Sequence, residues 1–144
     1  MAIFQSAEEM YQVYEGFFNE VKDTEQAKAI MSSYQKSDQH NALVQYIYHN
    51  PEAKMAWVEN DRGSIDVVFG DAEELNPELT FEMTSDVGHR FWLGEVDLTQ
   101  ALARQQMKAT GPLSKSLKVV PQLKQWYPLY REYLKRIGRE ELVV

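Results

Sequence analysis

Ser85-Asp86-Val87-Gly88-His89-Arg90-Phe91-Trp92-Leu93-Gly94-Glu95-Val96-Asp97-Leu98, running on to Met107-Lys108-Ala109-Thr110-Gly111, is the stretch whose reading decides the fold. The segment before it, Glu78-Leu79-Thr80-Phe81-Glu82-Met83-Thr84, alternates apolar and polar residues. A strict period of two describes a strand with one buried and one wet face. After Thr84 the period changes. Val87, Phe91 and Trp92 fall at helical spacing, with Ser85 or Asp86 as the cap and Gly94 as the stop. Asp97-x-x-Gln100 then has the form of a capping box, opening a short helix with Leu98, Ala101 and Leu102 on its apolar face. Met107 to Gly111 reads as a short return strand ended by Gly111-Pro112. Two strands are thus joined by a helical crossover.

Toward the N-terminus, Ser6-x-x-Glu9 is a second capping box. Behind it Met10, Tyr14, Phe17, Phe18 and Val21 form the apolar stripe of a helix of about four turns. Asp23-Thr24 stops that helix and caps another, on which Ala27, Ile30, Met31 and Tyr34 share a face. Gln35 to Asn41 is polar and reads as a loop. Residues 42–48, 54–59 and 64–69 are β-branched or aromatic runs, separated by the turn signals His49-Asn50-Pro51 and Asn60-Asp61-Arg62-Gly63. An acidic loop after Gly70-Asp71 leads to the strand at 78–84. Four strands linked by short connections are expected to form an antiparallel meander, whose apolar face needs cover. In the tail, Leu113, Leu117, Val120, Leu123 and Trp126 recur at helical spacing, as do Tyr130, Leu134 and Ile137. Pro121 and Pro128 interrupt the pattern, so separate or kinked helical pieces are expected, closed by Gly138.

Composition narrows the function. The chain has 144 residues, 44% hydrophobic and 26% charged, a size and balance that suit one domain over 1–144. There is no Cys, hence no thiolate chemistry, and no apolar run long enough for a membrane span. The N-terminus lacks a signal-peptide pattern, and a cytoplasmic protein is expected. A net charge of -7 argues against nucleic acid as a partner. That charge is uneven: residues 1–112 carry -11 and residues 113–144 carry +4. The basic C-terminal segment is either a solvated helix face offsetting an acidic body or, at most, a peripheral contact with anionic lipid.

No local motif for catalysis is present. His40, His49 and His89 are far apart, with none of the spacings that hold a metal, and no Gly-x-Ser-x-Gly elbow or glycine-rich phosphate loop occurs. An enzyme would need a polar cluster assembled by the fold, with His89 facing Asp or Tyr side chains. Asp86 and Asp97 are better read as helix caps than as an acid–base pair. What stands out is apolar. Phe81, Met83, Phe91, Trp92, Leu98, Leu102, Met107, Leu117, Val120, Leu123 and Trp126 exceed what one thin layer over a sheet requires. Each fits plain core filling. Together, their aromatics and flexible Met suit a pocket for variable apolar ligands.

The order of elements and several segments resemble the sterol-carrier-protein-2 superfamily of small lipid-binding domains. The resemblance covers about residues 4–127 and leaves 128–144 as a helical extension. It rests on Leu79 to Asp86, on Gly94-x-x-Asp97, on Ala101 and on Met107-Lys108-Ala109-Thr110-Gly111. Where the family often opens the fifth strand with Gly-Lys, this chain has Gln105-Gln106, and Glu141-Leu142-Val143-Val144 is not a peroxisomal address. The resemblance implies an α+β fold: a five-stranded, mainly antiparallel sheet with helices on one face, two N-terminal helices and a kinked C-terminal segment. It also implies a cavity between sheet and helices that holds a lipid, fatty acid, acyl-CoA-like or other hydrophobic molecule, with no cofactor and no chemical conversion. About ten buried methylenes at roughly 0.8 kcal/mol each would supply such binding, and after the cost of immobilisation micromolar affinity results. The alternative is an accessory module of the same fold that dimerises through these residues and has no ligand of its own.

Overall fold

In the computed structural model, which describes residues 3–33, 39–60, 63–70 and 75–143, the N-terminal capping box forms with one change. The Ser6 hydroxyl accepts from the Glu9 amide at 3.1 Å and starts α1, Ala7–Val21. The Glu9 carboxylate reaches past the cap and accepts from the Gln5 amide at 2.7 Å. All five residues of the expected stripe are buried. Thr24 accepts from the Ala27 amide at 3.2 Å and opens α2, Glu25–Ser33. Tyr34, the turn residues Asp61 and Arg62, and Asp71 to Glu74 of the acidic loop lie outside the described residues.

The strands are β1 (Ala42–His49), β2 (Ala53–Glu59), β3 (Ile65–Phe69), β4 (Pro77–Thr84) and β5 (Met107–Thr110). They form one sheet in the order β3-β2-β1-β4-β5. The expected four-stranded meander is therefore corrected: only β1 to β3 form one. Instead of pairing with β3, β4 crosses to the far side of β1 and runs parallel to it, Tyr46 opposite Phe81 and Tyr48 opposite Met83. The β1–β2, β2–β3 and β4–β5 pairs are antiparallel, so the sheet is mixed. Crossing from β3 to β4 spans three strand spacings, about 14 Å, which no tight hairpin can do. Asn41 and Asn76 fix the parallel register just ahead of the two strands. The Asn41 amide donates to the Asn76 carbonyl at 3.2 Å, the Asn76 amide returns a bond to the Asn41 side chain, and Asn76 Nδ2 donates to the Gln39 carbonyl at 2.7 Å.

β4 passes without a loop into α3, Ser85–Trp92. The cap is thus the last strand residue, Thr84, which accepts from the Val87 amide at 3.2 Å; neither Ser85 nor Asp86 fills that role. Ser85 donates to the Pro51 carbonyl at 2.7 Å, and Asp86 accepts from the Ile3 amide at 2.8 Å. Asp97 does cap α4, Leu98–Ala103. The tail divides into α5, Leu113–Leu123, and α6, Trp126–Arg136, followed by a 3-10 turn at Glu140–Leu142. Gly94 and Gly138, both at positive φ, stop α3 and α6.

Three arginines of the basic tail pair with carboxylates, of the acidic body in each case and in one case also of the tail itself. Arg136 pairs with Glu20 at 2.7 Å, Arg139 with Glu141 at 2.7 Å and also with Glu9, and Arg131 with Glu95 at 3.5 Å. Exposed or half-exposed pairs of this kind add little stability.

α3 lies very close to β1. A Cβ built on Gly88 would stand 2.4 Å from the Tyr48 ring, which is 1% exposed and packs on Tyr14 and Tyr46. Glycine to alanine inside a helix ordinarily stabilises by roughly 0.5–1 kcal/mol. Here the sign reverses: Gly88→Ala should destabilise by about 1–3 kcal/mol through overpacking. The check is a lowered urea midpoint at unchanged slope; a midpoint at or above that of the parent chain would contradict this contact.

Candidate ligand-binding site

One face of the sheet carries Trp57 and Met55 on β2, Val44, Tyr46 and Tyr48 on β1, and Leu79, Phe81 and Met83 on β4, aligned across the strands by register. All eight are buried. Against them stand rings from the helices: Phe17 and Phe18 of α1, Trp92 of α3, Trp126 and Tyr130 of α6. The result is a continuous aromatic layer. Tyr46 stacks on Phe81 at 5.9 Å and meets Trp92 edge-on at 5.7 Å. Trp57 lies 5.9 Å from Trp92 and 5.9 Å from Trp126. Phe18 stands at the junction, with Tyr14, Trp57, Trp92 and Trp126 all within 6.2 Å.

The fold brings most of the expected lining residues into this cluster. Phe81, Met83, Phe91, Trp92, Leu98, Met107, Leu123 and Trp126 are buried, and Leu102 packs against the cluster half-buried. Phe91 turns partly aside, meeting Tyr127 at 6.1 Å as well as Trp92. Leu117 is not among them: it is 46% exposed, on an outward side of α5. The side chain of Val120 lies outside the described residues. Phe18 and Trp57, which make the most central contacts, were legible only as members of a helix stripe and a strand, since nothing local says which two faces meet.

Between α1 and the edge strand β3 runs an open groove of about 460 Å³, lined by Glu15, Phe18, Asn19, Lys22, Asp66, Val67 and Phe69. Its rim is polar, with Lys22 3.8 Å from Asp66. Phe18, 1% exposed, is the inner wall. A smaller recess of about 140 Å³ lies by Tyr11, Tyr48 and Lys54.

The polar chemistry of the interior is sparse. His89 is fully buried and faces a tyrosine, as an enzyme reading would require. Both ring nitrogens are nevertheless engaged. Nε2 donates to the Leu142 carbonyl at 2.6 Å, which fixes the neutral tautomer, and Nδ1 accepts from the Tyr130 hydroxyl at 2.9 Å. Burial holds its pKa below the ordinary histidine range, only partly offset by the Leu142 carbonyl. The ring is therefore a neutral clamp between α3, α6 and the C-terminal turn. Burial likewise pushes the Tyr14 and Tyr130 phenols far up, and that of Tyr127 to about 12, so none ionises near neutrality. On the outer surface His49 bridges Glu82 and Glu52, and hydrogen bonds to these two carboxylates raise its pKa. Among the described residues no three His, Asp or Glu side chains converge as a metal would need, and no helix is long and apolar enough to cross a membrane.

No protein-family model and no curated protein sequence matches the chain. Solved structures do match in fold. Sterol carrier protein 2 from Yarrowia lipolytica, in its apo form, superimposes with a TM-score of 0.53 at 16% identity, over 84% of this chain and 91% of its own. A ubiquinone synthesis protein, UbiJ-SCP2, gives a TM-score of 0.54 at 12% identity, over 83% and 88%. A sec-alkylsulfatase from Pseudomonas sp. matches at 13% identity with a TM-score of 0.48, over 64% of this chain, which spans only 14% of the sulfatase. At such identities the shared property is the fold: a sterol-carrier-protein-2-like α+β arrangement, as the sequence resemblance implied.

The two shifted histidines act on stability with opposite signs. A depressed pKa means that the unfolded chain takes up a proton first, so the His89 contribution is complete above about pH 6.5 and is lost as pH falls below it. The raised pKa of His49 gives a contribution complete below about pH 6.5 and lost as pH rises through its folded value. Urea unfolding at a series of pH values should show His49→Gln gaining more stability from pH 5 to 7 than the parent chain. His89→Gln should gain less. Identical pH slopes for His89→Gln and the parent would contradict the buried neutral ring.

Proposed function

We propose that this protein is a non-enzymatic binder or carrier of a lipid, fatty-acyl or similar hydrophobic small molecule, held between the sheet and its helices. The residues of 1–144 act as one domain in this reading, and the protein works in the cytoplasm. The observation that carries it is the aromatic layer centred on Phe18, Trp57 and Trp92, in a fold shared with a protein described as a sterol carrier. Large, mixed apolar surfaces with few polar groups suit ligands recognised by area rather than by directional bonds. The ring nitrogens of His89, both already bonded, support binding over chemistry.

A second reading, dimerisation without a ligand, is favoured by one observation. The exposed large apolar side chains among the described residues, Leu117, Leu129 and Ile137, all belong to α5, α6 and its C-terminal cap. The basic tail enters as a weaker peripheral contact with anionic surfaces, through the exposed Lys118, Lys124 and Lys135.

Titration with a fluorescent fatty-acyl probe separates these readings. Binding predicts saturable uptake with a dissociation constant on the order of micromolar, and Leu117→Glu should leave it unchanged. No uptake by the monomer at any probe concentration, or dimerisation that abolishes uptake, would sink the carrier reading in favour of the interaction module.

A further inference from the structure

We propose that Trp57 and Trp126 anchor the polar end of the bound molecule through their indole N–H groups, and that this end is an uncharged oxygen acceptor such as a ketone or ester carbonyl. The inference rests on the binding reading above and adds the chemical class of the ligand.

Trp57 and Trp126 are 1% and 0% exposed, and neither indole nitrogen has a hydrogen-bond partner among the described residues. Buried indole N–H groups ordinarily find an acceptor, and a buried donor without one is costly enough to require an explanation. Trp92, the third tryptophan of the chain, shows the ordinary case: its N–H donates to the Tyr48 hydroxyl at 3.4 Å. The Tyr14 hydroxyl is likewise buried with no partner among the described residues. These three groups are not scattered. The rings of Tyr14, Trp57 and Trp126 lie 6.2, 5.9 and 6.0 Å from that of Phe18, the inner wall of the α1–β3 groove. The rings that carry these three groups thus all pack on the side chain that lines the groove from within.

Charge selects the acceptor. No Lys or Arg among the described residues is buried, and His89 is neutral and committed. A carboxylate carried to this depth would lose its hydration without meeting a cation, whereas a carbonyl oxygen needs only the N–H donors. Entry from the groove requires Phe18, its inner wall, to turn aside.

The test uses the full ¹⁵N-labelled chain and matched probes delivered from cyclodextrin: 2-decanone, decane and decanoate at pH 7.5. The chain has 3 Trp and so gives one indole N–H signal each, assigned by triple-resonance spectra of the parent protein. 2-Decanone should move the Trp57 or Trp126 signal downfield while decane does not, with the Trp92 signal little changed. In displacement of a fluorescent acyl probe, 2-decanone should bind about tenfold tighter than decane, the worth of one neutral hydrogen bond, and tighter than decanoate. Trp57→Phe/Trp126→Phe should reverse the order of ketone and decane, because the ketone then gives up its hydration with no donor in return. Saturable decane binding with no preference for the ketone and no downfield shift overturns this inference alone, as does tighter binding of decanoate. Failure of every probe to bind overturns the underlying reading as well.

Discussion

The parallel pairing of β1 with β4 is the constraint on which the rest of the structure depends. It brings the C-terminal ends of the two strands together, so that the chain leaves β4 beside Tyr48 and His49 rather than at a sheet edge. α3 then starts at Thr84 without an intervening loop and lies directly over β1, a closeness that only a glycine at position 88 allows. Trp92, at the far end of the same helix, reaches Trp57 across two strands. The same pairing leaves β3 on the outside edge, where α1 covers it incompletely and the groove remains. A four-stranded meander would have placed β4 next to β3, closed that edge and carried α3 away from Tyr48.

Much of this was legible in the sequence, and the failures have physical causes. Helix stripes, turn residues and the period change at Thr84 locate nearly every element, because they report local burial and capping. Strand direction is not local. Alternation of Leu79, Phe81 and Met83 is the same for a parallel as for an antiparallel neighbour. The length of the stretch between Phe69 and Pro77, too long for a tight hairpin, was the available signal of a crossing. The cap of α3 departs from the local pattern for a related reason: a strand that passes straight into a helix makes its last residue the cap, which frees Asp86 to hold the Ile3 amide.

The candidate site was legible in part. Phe81, Trp92 and Trp126 could be picked out as surplus apolar residues of the second half of the chain, and the fold places all three in one layer. Phe18 and Trp57 come from the first half, and their role exists only because α1 packs across the sheet onto the ends of α3 and α6. Unpaired indole donors are invisible to sequence altogether, since tryptophan in a strand or helix carries no mark of whether its N–H is satisfied. Leu117 illustrates the converse. Its helical spacing matches that of Leu123, yet one is exposed and the other buried, because spacing alone does not say which side of a helix the body covers.

Photo-crosslinking with a diazirine-bearing fatty-acyl probe, followed by peptide mapping, tests the central claim that an apolar molecule lies between the sheet and its helices. Adducts on Phe18, on β2 around Trp57 and on α6 around Trp126 are the predicted result. Adducts confined to the exposed Leu117, Leu129 and Ile137 would place the molecule on the surface and contradict it.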